Sequence, residues 1–325
     1  MRAIVDAPHG RVRIGIGDDA AAWQPSRSHL SVITTDALVD GVHFLSEKMA
    51  AAAVGHRAMA SNLSDIAAMG ARPVLATIAL GVTAATTEEW ILSCYRTMNA
   101  LASAHGAQIA GGDVTRAPSL LLSITVVGEV SRTRLKRRDG GRPGDVLGVT
   151  GPLGASRAGL ELLRHDRTVD AAARAAALRA FVAPQPRIRE GRWLAASHHV
   201  HAMMDCSDGL ALDVSRLARA GGCGATITDV PIAAEAAAVA AAAGADGRAY
   251  ALEGGEDFEL IAAIAPRAFA HLARRFAARF GRPLRAVGRL DAEPGLRLQE
   301  SGEAPRDLAP GGWDHLQKET PPAAR

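Results

Sequence analysis

Aromatic residues make up only 4% of this chain of 325 residues, so alanine, valine and leucine must build its cores. Cysteine occurs three times, as Cys94, Cys206 and Cys223, far apart and without a CxxC pair. That spacing argues against a disulfide framework, offers no zinc site and fits a reduced cytoplasmic compartment. No run of about 18 apolar residues occurs, and the N-terminus lacks a cationic segment followed by an apolar stretch. Neither a membrane helix nor a secretory leader is predicted, and a soluble cytoplasmic protein follows. The 37 basic residues barely outnumber the 34 acidic ones, and the arginines are scattered without interleaved aromatics, so no nucleic-acid partner is expected. A GxxxxGK[ST] string is also missing, which excludes a P-loop.

What the chain does have is a regular alternation of β-type runs and alanine-rich helical stretches, the composition of a two-domain α/β protein. Val12–Ile16, Leu30–Thr35, Val74–Gly81, Gln108–Ala110 and Leu120–Val130 are predicted strands, with helices over Ala50–Met69 and Thr87–His105. The polar break Arg132–Asp145, with its basic cluster, glycines and Pro143, sets a boundary between residues 1–135 and 136–325. Beyond it, strands are predicted at Asp145–Thr150, Val200–Met204, Ala225–Ile227 and Leu260–Ile264. Helices are predicted from Ser156 and over Ala171–Phe181, Arg187–Ala196, Ala211–Ala220 and Ala233–Ala243, since alanine has the best helix propensity. The tail Lys318–Arg325 is expected to fray.

Acidic residues recur at strand ends among glycine, serine and threonine: Gly17-Asp18-Asp19, Thr34-Thr35-Asp36, Ser64-Asp65, Gly111-Gly112-Asp113, Asp205-Cys206-Ser207-Asp208-Gly209 and Gly254-Gly255-Glu256-Asp257. Carboxylates about 5 Å apart repel by roughly 3 kcal/mol at an effective dielectric near 20, so convergence of these segments would call for hard divalent cations. Each segment also has a plainer reading. A strand-end aspartate caps turns and helices, Ser207 or Asp208 would cap the helix that follows, and Glu253–Asp257 would serve as a solvated loop. Ser64-Asp65 is different, because both residues sit in mid-helix where they have poor propensity and nothing to cap. Gly15-Ile16-Gly17-Asp18-Asp19-Ala20 formally matches the dinucleotide fingerprint, but two carboxylates in the turn would face a pyrophosphate where bare amides are needed.

Taken in order, these strings resemble the thiamine-monophosphate kinase family, within the superfamily of aminoimidazole ribonucleotide synthetase, selenophosphate synthetase and a hydrogenase-maturation dehydratase. The most specific are Thr34-Thr35-Asp36 with Gly41-Val42-His43-Phe44, Asn62-Leu63-Ser64-Asp65-Ile66-Ala67-Ala68-Met69-Gly70, Gly111-Gly112-Asp113, Ser207-Asp208-Gly209-Leu210 and Gly254-Gly255-Glu256-Asp257-Phe258-Glu259-Leu260. The resemblance runs on to Gly312-Trp313-Asp314-His315. It implies ATP-dependent phosphorylation of thiamine monophosphate, with several magnesium ions held by Asp19, Thr34, Thr35, Asp36, Asp65, Asp113, Asp205 and Asp208. It further implies ATP contacts from Gly112, Asp113, Arg138, Ser207 and, less directly, Tyr95, and substrate contacts from His43, Glu256 and Trp313. The implied fold has N-terminal strands that pair across a homodimer into a helix-flanked β-barrel, and a sandwich-like α/β C-terminal domain. No general base is implied, because the acceptor is an already ionised phosphate oxygen.

Two departures accompany the resemblance: the chain starts only a few residues before the first aspartates, and Trp313 stands where tyrosine or phenylalanine is more frequent. The lack of an N-terminal reactive cysteine argues against a selenophosphate synthetase, and His43, Glu256 and Trp313 argue against the purine enzyme. A non-catalytic nucleotide-binding regulator would be expected to have lost metal carboxylates, and none is lost.

Overall fold

A computed structural model describes residues 4, 5, 7, 9–16 and 19–313. Gly17 and Asp18 of the first acidic turn, Asp314, His315 and the tail expected to fray lie outside the described residues. The first half of the chain runs β1 (Val12–Ile14), β2 (Ala22–Trp23), β3 (His29–Val39), α1 (Ala51–Ala68), β4 (Arg72–Val82), α2 (Glu88–Ala104), β5 (Gln108–Arg116) and β6 (Leu121–Ser131). The second half runs β7 (Val146–Val149), α3 (Ala155–Arg164), α4 (Ala171–Val182), α5 (Ile188–Ala195), β8 (Val200–Cys206), α6 (Leu210–Ala220) and β9 (Gly224–Ile227). It ends with α7 (Ala234–Ala242), α8 (Gly247–Glu253), β10 (Glu259–Ile264), α9 (Pro266–Phe280), β11 (Arg285–Asp291), β12 (Leu296–Leu298) and β13 (Arg306–Asp307).

Strands β3, β6, β4 and β5 form an open four-stranded sheet in that order, with β3 and β5 at its edges. The period of two along β3 turns Leu30, Val32, Thr34, Asp36 and Leu38 inward and leaves Ser31, Ile33, Thr35 and Ala37 exposed, Ile33 at 73%. On the inner face lie α1 and α2, packed tightly enough that a Cβ on Gly55 would meet the Cys94 backbone at 2.5 Å. Thr87 caps α2 by accepting from the Trp90 N–H, the start that Thr-Glu-Glu predicts.

A mixed seven-stranded sheet, ordered β13-β12-β9-β11-β7-β10-β8, builds the second half. β10 is buried on both faces, which is why its sequence is a continuous apolar run instead of an alternating one. Leu260, Ala262 and Ile264 join a core shared with α1 and the first sheet, while Ile261 and Ala263 join a second core with α6. One helix, α1, thus packs against both sheets.

Several predicted bounds shift. β3 continues past Thr35 to Val39, β5 continues past Ala110 to Arg116, and β8 takes in Asp205 and Cys206. Asp36, Gly111-Gly112-Asp113 and Asp205 therefore lie within strands, because ladder pairing with β6, β4 and β10 outweighs the turn preference of these residues. The elements β2, α8, α9, β11, β12 and β13 were not predicted. The arginine-rich amphipathic sequence of α9 and the short strands after it carry weak patterns individually, and tertiary pairing sets them.

Candidate phosphoryl-transfer site

The carboxylates of the β3 and α1 segments meet first. Mid-helix Ser64 and Asp65 point in different directions: Asp65 accepts from the Thr34 hydroxyl on β3, and Ser64 donates to Asp205 on β8 at 2.7 Å. Asn62 on the same helix accepts from the Asp36 backbone N–H at 3.1 Å, and its amide donates back to the Ala58 carbonyl. The reason two poor helix formers sit in mid-helix is therefore that each ties α1 to a different sheet.

These acids share a field with too little positive charge. Burial first, and then the Asp65 charge, raises the Asp36 carboxyl to about 6, with Asp208 adding to the rise. Burial and then Asp65 raise Asp205 to about 8, opposed by the Ser64 hydrogen bond and by Arg138. Burial also pushes Asp65 up, while the Thr34 bond and Arg138 pull it down. Arg138 itself is exposed and stands near Asp65 and Asp205. A set of buried, mutually repelling oxygen ligands whose protons bind too tightly suits a hard cation as the missing charge. Among the described residues, however, no three acids, histidines or cysteines stand at ligand spacing, so the oxygens share a neighbourhood without a closed shell.

The Asp205–Gly209 segment leaves β8 for α6, and neither Ser207 nor Asp208 caps that helix, whose N-cap is Gly209. Instead Asp213, fully buried one turn into α6, accepts the Ser207 and Asp208 N–H groups through one oxygen at 3.0 and 2.9 Å. Arg216 pairs with Asp208 and also reaches Asp213 at 3.2 Å. A second loop is stitched to this turn: the Glu256 N–H donates to the Ser207 carbonyl at 2.7 Å and the Phe258 N–H to Cys206 at 3.0 Å. The Trp313 N–H donates to the Asp208 carbonyl at 3.1 Å, which brings the last of the described residues to the same place. Glu256 and Phe258 both take positive φ, 58° and 51°, conformations that non-glycine residues adopt only when their surroundings hold them. Between them Asp257 is half-buried and accepts from the Gly154 and Ser156 N–H groups at the start of α3; desolvation raises its carboxyl to about 7.

These loops and β3 enclose a cavity of about 810 Å³. Of the residues predicted for the site, Thr35, Asp36, His43, Ser207, Asp208, Glu256 and Trp313 line it. The remaining ones do not. Thr34, Asp65 and Asp205 lie behind the wall in the hydrogen bonds just described, and the Thr35 hydroxyl donates to the Ile124 carbonyl along the sheet. Gly112 and Asp113 are exposed on the edge strand β5, where Gly112 has φ 155° and a Cβ would overlap the Ile78 carbonyl oxygen. Tyr95 is a core side chain of α2 at 2% exposure, close enough to Asp113 for that charge to help burial raise its phenol to about 12. Asp19 is exposed on the turn between β1 and β2. His43 accepts the Val39 N–H on its Nδ1 at 3.1 Å, so in the neutral ring the proton sits on Nε2.

The family model for AIR synthase related protein, N-terminal domain, matches residues 17–130, and that for the C-terminal domain matches residues 142–300. A thiamine-monophosphate kinase of Synechococcus elongatus is 34% identical over 310 residues, covering 92% of this chain and 91% of that protein. The chain belongs to the thiamine-monophosphate kinase family. Among solved structures, the thiamine-monophosphate kinase of Stenotrophomonas maltophilia is 35% identical with a TM-score of 0.80, covering 89% of this chain and 91% of that one. AaThiL complexed with AMPPCP and TMP is 29% identical with a TM-score of 0.77, covering 91% and 90%.

Within this family framework the structure adds residues that the sequence reading passed over. Arg57 on α1 is 1% exposed and lines the cavity, pairing with Glu256. Asp213 and Arg216 hold the Ser207-Asp208 turn. Arg157 lays its stem on Gly254 and its guanidinium 5.6 Å from the Tyr250 ring centroid. Arg57 had a visible signal, a single cation on a helix without an acidic residue before Asp65; Asp213 had none beyond its place in the first turn of α6.

Proposed function

We propose that this protein transfers the γ-phosphoryl group of ATP to thiamine monophosphate, giving thiamine diphosphate and ADP. The observation that carries the reading is the single cavity in which His43, Glu256 and Trp313 share walls with Asp36 and Asp208. A related protein solved with AMPPCP and TMP supports the same pair of substrates.

The residues divide by chemistry. The Glu256 carboxylate offers negative charge to the cationic ring system of thiamine, and Trp313, 41% exposed, offers a stacking face. His43 presents Nε2 as a donor for a phosphate or ring nitrogen. Asp36, Asp65, Asp205 and Asp208, with Asp19, Asp113 and the Thr34 and Thr35 oxygens, would hold magnesium ions. Bound there, magnesium would supply the charge neutralisation that lets two phosphate groups approach. Arg138, near Asp65 and Asp205, stands where a guanidinium can take phosphate oxygens, together with the backbone at Gly112, Asp113 and Ser207. Tyr95, buried on α2 and near Asp113, would act on the ATP contacts only indirectly. Transfer is in line, with no general base, since the acceptor oxygen is ionised already.

The wider assignments belong to the same proposal. The boundary lies between residues 1–135 and 136–325, in the gap between the two matched family domains. The sheet face with exposed Ile33, covered in part by Val12 of β1, pairs with that of a second copy, completing a dimeric barrel beside the ATP site. A cytoplasmic location is part of the same reading, supported by three buried free thiols. Among the described residues, no helix is long and apolar enough to cross a membrane.

The test is direct: purified protein with ATP, magnesium and thiamine monophosphate is expected to form thiamine diphosphate and ADP. Turnover on an aminoimidazole precursor or selenide, with no thiamine diphosphate, refutes the reading. ATP binding without turnover on any of the three identifies a regulator instead.

A further inference from the structure

Arg57 is almost fully buried, yet its guanidinium reaches three separate segments. Nε donates to the His43 carbonyl at 2.9 Å and Nη1 to the Phe181 carbonyl in α4 at 2.6 Å. Nη2 lies against the Glu256 carboxylate as a close ion pair, without the alignment of a regular hydrogen bond. The plane of the group stacks on the Phe181 ring, 3.9 Å from its centroid. Two of the three segments carry residues assigned to the acceptor substrate, and they come from opposite halves of the chain.

A buried charge is tolerated only with good partners, and here the partners are the backbone of the His43 turn and the side chain of Glu256. The Glu256 backbone is held at φ 58° by its N–H bond to the Ser207 carbonyl, but its side chain, 30% exposed, is fixed by the pair with Arg57. The planar guanidinium spreads three separate nitrogens to these partners and stacks on Phe181; a lysine ammonium, a compact point charge, would keep the charge and lose that geometry. None of the contacts of Arg57 involves the Gly112-Asp113 strand or the Asp205–Asp208 segment.

We infer that Arg57 is the positioning residue for the acceptor half of the site, setting His43 and Glu256 at a fixed separation and thereby determining affinity for thiamine monophosphate but not for ATP. This rests on the phosphoryl-transfer reading above. Arg57→Lys is expected to raise KM and the calorimetric Kd for thiamine monophosphate by about tenfold or more, with kcat and KM for ATP within about threefold of wild type. Because the arginine acts through Glu256, Arg57→Lys combined with Glu256→Gln should be little worse than the poorer single variant, a non-additive pair. Where the lysine variant fails to fold, Arg57→Met is expected to show the same split. A variant with a lowered melting temperature and unchanged KM for thiamine monophosphate overturns the inference and leaves Arg57 a structural staple, as does full additivity with Glu256→Gln. A wild-type protein that forms no thiamine diphosphate overturns the functional reading, and this inference falls with it. Wild-type turnover combined with an unshifted lysine variant overturns the inference alone.

Discussion

Asp213 gives the sharpest test of how the Ser207-Asp208 turn is held. Both N–H groups of the turn donate to the same Asp213 oxygen, at 3.0 and 2.9 Å, while the other oxygen meets Arg216 at 3.2 Å. Truncation by Asp213→Ala leaves two part-buried donors without an acceptor; each bond to a charged acceptor contributes roughly 1.5–3 kcal/mol. Some of that is offset because burial already disfavours the carboxylate, raising it to about 6. The net loss is expected at about 2–4 kcal/mol, which in a chain of this size lowers the melting temperature by about 3–6 °C. Asp213→Asn behaves differently. Its one carbonyl oxygen can take the place of the shared acceptor, and only the contact with the one-third-exposed Arg216 is lost, a pair contributing at most about 1 kcal/mol. Thermal unfolding and thiamine diphosphate formation, measured on both variants, decide the matter: the alanine protein should lose stability and most activity, the asparagine protein little of either. Equal loss in the two would show that the charge of Asp213 matters and the shared acceptor does not, refuting the reasoning.

Asp36→Ala and Asp208→Ala should each abolish product formation without lowering the melting temperature. At Asp36 the substitution removes a half-buried carboxylate lifted to about 6, so no loss of stability is expected; preserved turnover in both variants removes them from the site. Gly112→Ala places a Cβ on the Ile78 carbonyl of β4 and should cost about 2 kcal/mol or more, with weaker binding of a nonhydrolysable ATP analogue; unchanged denaturant midpoints would contradict the predicted overlap. Asp257 is raised from 3.8 to about 7 by burial, so the folded state holds an extra proton between those values. Wild-type stability should therefore fall as pH rises through about 4 to 7, by at most roughly 1.4 kcal/mol per pH unit, relative to Asp257→Asn. Urea midpoints for the two proteins that keep a constant separation from about pH 5 to pH 8 would count against that assignment.

The acidic segments could be found in sequence because they are short, local and embedded in glycine and hydroxyl residues. Their partners could not. Asp36 and Asp208 line one cavity because β3 and the β8–α6 turn face each other, a relation no local pattern encodes. Ser64-Asp65 was legible as an anomaly, two poor helix formers in mid-helix, and the structure supplies the cause in Thr34 and Asp205. Period-two and helical patterns located most elements of both halves, but strand ends were drawn short wherever an acidic residue suggested a turn, as at Asp36 and Asp205. Arg57 was overlooked because a lone arginine on a helix usually faces solvent, and its burial depends on the Phe181 carbonyl, 124 residues away, as well as on His43.

The position of α1 between the two sheets has a consequence for exchange of parts between relatives. Through Arg57 and Ser64 this helix, encoded in the first half, closes hydrogen bonds onto α4 and β8 in the second. A chimera joined in the polar break after β6 would inherit α1 from one parent and its acceptors from the other. The seam that matters for such a hybrid is therefore the far side of α1, and compatibility at Phe181, Asp205 and Glu256 decides whether the halves recombine into a working protein.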